Sequence, residues 1–174
     1  FEIASRDWEK GVMVLRHKKT GEEFPFGIMG ESQVSNATLV WEGLELLGGA
    51  GWKLNRAHAA AGFASVVWPA RFQILRPAPG GALYIIDGAH NAEAARAFAA
   101  TWRTSPFAAR PAAFVIGLLN DKDRADIFRT FAQLEGRFIF TRPDSPRAAD
   151  PCALADEFLA LRPGADVEVQ QDIG

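Results

Sequence analysis

Asp87-Gly88-Ala89-His90-Asn91 is the segment of this sequence best equipped for chemistry. It follows the apolar run Leu83-Tyr84-Ile85-Ile86, which suits a buried strand. An aspartate ending such a strand is held by rigid backbone and can accept hydrogen bonds from ribose hydroxyls. Gly88 permits a sharp turn or a close backbone approach. His90 has the chemistry to hydrogen-bond a phosphate or a reacting carboxylate. Asn91 can cap a helix whose first N–H groups receive an anion. A plain turn followed by an N-cap explains the same residues equally well. Two more segments, residues 117–123 and 141–147, also follow apolar runs. In an open α/β sheet all three lie beyond the carboxyl ends of strands, where ligands bind.

The elements that must position these segments are legible in the pattern. Residues 1–30 alternate and carry turn signals, with strands expected at 12–15 and 23–26 around Lys19-Thr20-Gly21. A helix is expected over 33–47, with Leu39, Leu44, Leu46 and Leu47 as its apolar side and Gly48-Gly49 as its stop. A second helix, over 55–64, has Asn55 as N-cap. Trp68-Pro69 breaks that pattern and is read as a domain joint, giving domains 1–68 and 69–174. A short strand at 72–75 and a turn at 77–81 follow, the strand pairing antiparallel at a sheet edge.

From residue 82 onward strands and helices alternate. Strands are expected at 83–86, 113–116, 138–140 and 167–169. Helices are expected at 91–103 and 123–134, and a last one has Asp150 as N-cap, Pro151 at its first position, Leu154, Phe158 and Leu161 facing inward, and Pro163-Gly164 as its end. This is the rhythm of βαβ units, so the fold class is α/β: a mostly parallel sheet of four strands with flanking helices.

Composition narrows the function classes. A chain of 174 residues holds one domain or one and a half, and 48% hydrophobic residues suffice for a core. The net charge of -2 favours neither nucleic acid nor an anionic membrane, and Arg16-His17-Lys18-Lys19 reads as a solvated turn. Cys152 is the single cysteine, which excludes an internal disulfide and a cysteine cage for metal. No stretch of 18 apolar residues occurs. A cytoplasmic location is expected, with no membrane partner. The sequence opens on Phe1 and closes just after a strand, so a piece of a longer protein is expected.

Four motifs, in order, resemble those of the folylpolyglutamate synthase/dihydrofolate synthase family, ligases of the Mur type. The family carries Gly-x-His-Gln-x-x-Asn-Ala at a helix start, where this chain has Gly30-Glu31-Ser32-Gln33-Val34-Ser35-Asn36-Ala37. Its Trp-Pro-Gly-Arg-Phe is matched by Trp68-Pro69-Ala70-Arg71-Phe72. Asp-Gly-Ala-His-Asn stands intact at 87–91, and Asp121-Lys122-Asp123 matches an Asp-Lys-Asp segment. Ser32 replaces the family's usual histidine and Ala70 its glycine. The alanine is costly only where a positive φ is required.

The resemblance implies roles. Asn36 would contact adenine, Arg71 the nucleotide phosphates, and Asp87 the ribose side of ATP. His90, the catalytic candidate, would lie near the phosphates or the incoming glutamate. The implied reaction is ATP-dependent: a folate or dihydropteroate carboxylate becomes an acyl phosphate, and the amine of L-glutamate attacks it. The implied architecture is a Rossmann-like C-terminal domain preceded by the tail of an ATPase domain. No Gly-x-x-x-x-Gly-Lys-Ser/Thr occurs, and Gly48-Gly49-Ala50-Gly51-Trp52-Lys53 has the wrong spacing. The phosphate loop and magnesium ligands are therefore expected in an N-terminal ATPase domain outside this chain, its intramolecular partner, and no metal ligand is expected here. A monomer is implied. Competing readings are a sister amide ligase with another substrate and a non-catalytic nucleotide-binding module. A dinucleotide-binding enzyme lacks its Gly-x-Gly-x-x-Gly.

Overall fold

The computed structural model describes residues 1–78 and 80–171. Pro79, in the turn expected at 77–81, and the terminal Asp172-Ile173-Gly174 lie outside the described residues. Two compact units divide the chain, Phe1–Gly88 and Ala89–Gly174.

The first unit opens with an antiparallel sheet of β1 (Glu2–Asp7), β2 (Val12–Arg16) and β3 (Glu23–Phe26) in that order. Asp7 closes the first turn: its Oδ1 accepts the N–H groups of Lys10 at 3.0 Å and Glu9 at 3.1 Å. The Lys10 backbone N–H is the main reason its carboxyl pKa falls below the ordinary value. Alternation along β2 and β3 turns Met13, Leu15, Phe24 and Phe26 inward. Against them lie helix α1 (Gln33–Gly49) and helix α2 (Arg56–Ser65), which contribute Trp41 and Phe63. Phe24 and Trp41 stand 4.8 Å apart and Phe26 and Phe63 5.3 Å apart. Asn55 caps α2 as expected, accepting from Ala57 N at 2.8 Å.

The leucines expected to bury α1 do not. Leu39 is 69% exposed and Leu46 76%, whereas Ala37 and Trp41 are the buried residues. The helix is apolar nearly all round, so its leucine content does not reveal which side the aromatic cluster takes.

Trp68-Pro69 leads into a hairpin of β4 (Gln73–Leu75) and β5 (Tyr84–Ile86), which pair antiparallel. The run expected to be a buried parallel strand is thus half of a two-stranded hairpin, with Tyr84 54% and Ile86 44% exposed. Arg76 joins the hairpin to the first turn through Glu9 Oε2 at 3.1 Å.

The second unit carries the parallel sheet, which has three strands rather than four: β6 (Ala113–Ile116), β7 (Arg137–Thr141) and β8 (Val167–Gln170), in that order. Helices α3 (Ala92–Thr104), α4 (Arg124–Phe131) and α5 (Pro151–Leu161) all pack on one face. Phe114, Phe138 and Phe140 share that face by register. Phe114 meets Trp102 of α3 at 5.2 Å, Phe140 meets Phe128 of α4 at 5.6 Å, and Phe138 meets Phe158 of α5 at 4.5 Å. The order β6-β7-β8 advances in a single direction, so crossovers of one hand leave α4 and α5 on the same side. On the other face Val115 is 61% exposed. Asp150 caps α5 through Cys152 N at 3.1 Å, with Pro151 in its first turn. Leu154 and Phe158 are fully buried, whereas Leu161, expected to face inward, is 43% exposed.

The phenylalanine layer holds this unit together. Phe158→Ala removes a ring with no exposed surface and is expected to cost about 3–5 kcal/mol in urea unfolding. A loss below about 1 kcal/mol would show that the core lies elsewhere.

Candidate functional site

Two motifs separated by 15 residues meet at the end of β5. Asp87 leaves the strand half-buried, and its Oδ2 accepts the N–H of Phe72 at 2.8 Å. One residue on, Gly88 N–H donates to the carbonyl of Ala70 at 2.9 Å. These two bonds strap the turn 70–72 to the strand end, with Arg71 between the strapped residues. A third bond, Ala70 N–H to Gln73 Oε1 at 3.1 Å, closes the turn from inside.

The turn needs this support because its backbone is strained. Ala70 has φ 57° and Phe72 φ 44°, both in the left-handed region. Each costs an L-residue roughly 1–2 kcal/mol. The glycine expected before the arginine thus has a conformational reason, and Ala70 bears the penalty. Gly88 proves less constrained: a Cβ there would meet the Ala70 carbonyl oxygen at 3.5 Å, an ordinary contact. Its contribution is the N–H in the strap rather than a conformation closed to other residues.

Arg71 is half-buried and forms no ion pair among the described residues. A guanidinium so placed offers paired donors to an anionic oxygen. The strap therefore ties the turn that carries Arg71 to the strand end that carries Asp87.

The remaining residues singled out by sequence lie apart from the strap. Asn36 sits inside α1, exposed, with its Nδ2 donating to Gln33 Oε1 at 3.0 Å. It is not the helix cap, a position that falls to Ser32, whose side chain makes no capping bond. In the second unit His90 is exposed, and Asn91 caps α3 by accepting from Ala94 N at 2.8 Å. Asp123 is the N-cap residue of α4, and Asp121 lies 3.5 Å from Lys122 and 3.6 Å from Arg147. Among the described residues no group of three or more His, Cys, Asp or Glu gathers that could hold a metal ion. No helix among the described residues is long and apolar enough to cross a membrane.

Residues 70–174 match the family described as Mur ligase, glutamate ligase domain. The chain belongs to the Mur ligase family. Its sequence is 33% identical over 160 residues to the dihydrofolate synthase/folylpolyglutamate synthase of Mycobacterium tuberculosis, covering 89% of this chain and 32% of that protein. The crystal structure of M. tuberculosis folylpolyglutamate synthase complexed with ADP and AMPPCP superposes with a TM-score of 0.81 at 28% identity, over 98% of this chain and 37% of that one. The folylpolyglutamate synthase of Thermotoga maritima gives a TM-score of 0.75 at 30% identity, over 98% and 39%. The chain thus spans about a third of the length of these relatives. The Mur-ligase part of the resemblance read from the motifs is thus a family membership, and the α/β fold is that of these relatives.

Within this Mur ligase chain, family membership and compactness mark different points. The match begins at residue 70, whereas the compact units divide after Gly88. The β4–β5 hairpin accounts for the difference: it lies within the match, yet pairs with itself and reaches Glu9 through Arg76.

The strap yields two stability predictions. Ala70→Gly relieves a left-handed alanine but loosens the unfolded chain, for a net gain of about 0.5–1 kcal/mol in urea unfolding. Asp87→Ala leaves the Phe72 N–H without its acceptor and is expected to lose about 1–3 kcal/mol. Asp87→Asn keeps an acceptor and should lose less. Equal losses for both Asp87 variants would show that the bond to Phe72 contributes nothing.

Proposed function

We propose that this chain is part of an ATP-dependent ligase that joins L-glutamate to folates, dihydropteroate or both through an acyl phosphate. Under this reading residues 1–68 are the tail of a central ATPase domain and 69–174 belong to the C-terminal domain. The observation that carries the proposal is the strap. It ties Asp87 and Gly88 of one family motif to Phe72 and Ala70 of another, on either side of Arg71, whose guanidinium has no ion pair among the described residues. The relative solved with ADP and AMPPCP supports a nucleotide as the ligand.

In this scheme Arg71 receives phosphate oxygens by charge-assisted hydrogen bonds, and Asp87, oriented by the Phe72 N–H, accepts from ribose hydroxyls. Asn36 contacts adenine. His90 stands near the phosphates or the incoming glutamate. Magnesium, held by the parent's ATPase domain, supplies charge neutralisation at the transferring phosphoryl group. The parent works in the cytoplasm as a monomer, with ATP, L-glutamate and the pteridine acid as its small-molecule partners. The 174-residue chain binds nucleotide and forms no amide by itself.

Calorimetric titration with ATP tests this. Arg71→Ala should weaken ATP binding about 10–100-fold, the value of a lost charge-assisted hydrogen bond, while circular dichroism stays unchanged. Undiminished ATP affinity in that variant would refute the assignment. Steady glutamate-dependent ADP release by the isolated chain, supplied with a folate, would refute the division of labour.

A further inference from the structure

Three hydrogen bonds hold the backbone around Arg71, and they differ in kind. The Ala70 carbonyl accepts from Gly88 N–H at 2.9 Å, and the Phe72 N–H donates to Asp87 Oδ2 at 2.8 Å. The third runs from the Ala70 N–H to Gln73 Oε1 at 3.1 Å. Gly88 acts through its backbone alone. Asp87 has ribose hydroxyls as further partners in the scheme above. Gln73 is the one side chain that grips the turn and has no ligand contact assigned to it.

The two sides of Arg71 are anchored unequally. Downstream, Phe72 is 2% exposed, its ring centroid lies 6.0 Å from that of Trp8, and the chain passes directly into β4. Upstream, Val67, Trp68 and Pro69 are all exposed, so little packing steadies the chain that leads into Ala70. Ala70 itself has φ 57°, which glycine adopts freely and alanine leaves unless it is held. Its N–H lies in the peptide plane before it and its carbonyl in the plane after it. The bonds to Gln73 and Gly88 therefore grip both planes and together fix φ and ψ at Ala70. With the Gln73 bond gone, the plane before Ala70 is free to turn and the strained φ to relax.

Gln73 is well placed for the task. It opens β4, opposite Ile86 in the ladder, so its own backbone is fixed. It stands three residues beyond Ala70, the spacing at which a glutamine or glutamate reaches back to an N–H in a capping box. We propose that Gln73 is a positioning residue for Arg71: it keeps Ala70 left-handed and so aims the guanidinium at its anionic ligand. The need arises from alanine at position 70, where glycine would hold the conformation unaided. This rests on the nucleotide reading of Arg71 above.

The whole chain, labelled with carbon-13 and nitrogen-15, gives two readouts. The φ-dependent spin couplings of Ala70, taken without ligand, report its conformation whatever Arg71 binds. Calorimetric titration gives the ATP affinity. Gln73→Met keeps the length of the side chain and removes the amide acceptor. It should shift the Ala70 couplings away from a positive φ and weaken ATP binding about 3–10-fold, because only the fraction with a competent turn binds. Ala70→Gly added to Gln73→Met should bring ATP affinity back to within about twofold of the unsubstituted chain, since glycine rests at a positive φ without a grip. Gln73→Glu keeps an acceptor at the same reach and should keep Ala70 left-handed. A left-handed Ala70 in Gln73→Met would overturn the proposal, as would its loss in Gln73→Glu or full ATP affinity in Gln73→Met. A loss of affinity that Ala70→Gly does not restore would overturn it too, because that marks a direct contact or general damage. If the unsubstituted chain binds no ATP, the nucleotide reading fails instead, and the Ala70 couplings alone decide whether Gln73 holds the turn.

Discussion

A strained turn can persist only where its surroundings over-determine it, and here that support comes from two hydrogen bonds. Asp87 accepts the Phe72 N–H and Gly88 donates to the Ala70 carbonyl, one bond on each side of Arg71. With Ala70 and Phe72 both in the left-handed region, the turn stores a few kcal/mol that a free segment would release by unwinding. The return on that strain is placement. Arg71 lies on a turn whose backbone is bonded on both sides to the strand end. The same carboxylate thus supports the fold and is available to the chemistry proposed for the site.

The second unit solves a different problem by a different means. A three-stranded parallel sheet cannot close on itself, and its stability comes from one packed face. Phe114, Phe138 and Phe140 alternate inward and meet α3, α4 and α5 there. Packing on one side leaves the carboxyl edge free of core duties. Loops at that edge are joined to one another instead, through Asn120 and the backbone of 147–149. A rigid scaffold with cross-linked rim loops is a suitable platform for recognition, since little order remains to be imposed when a ligand binds.

These two features belong to different units. The strapped turn and Asp87 belong to the first unit, while the loops joined through Asn120 belong to the second. Family relatives are about three times as long as this chain.

Much of this was determined by the sequence alone. Helix limits followed from local chemistry, with Asn55, Asn91 and Asp150 capping as their side chains require and Pro151 in the first turn of α5. Family membership was legible in four ordered motifs, which need no fold to be recognised. Three matters were decided only by tertiary structure. Leu83–Ile86 has the composition of a central parallel strand, yet pairing with residues 73–75 makes it one arm of a hairpin, and pairing is a non-local choice. The leucines of α1 carry no directional signal, because apolar residues spread round most of the helix leave the choice of face to the aromatic cluster around Trp41. The cost of Ala70 is invisible in composition. It depends on a backbone angle that exists only once distant segments have been brought together.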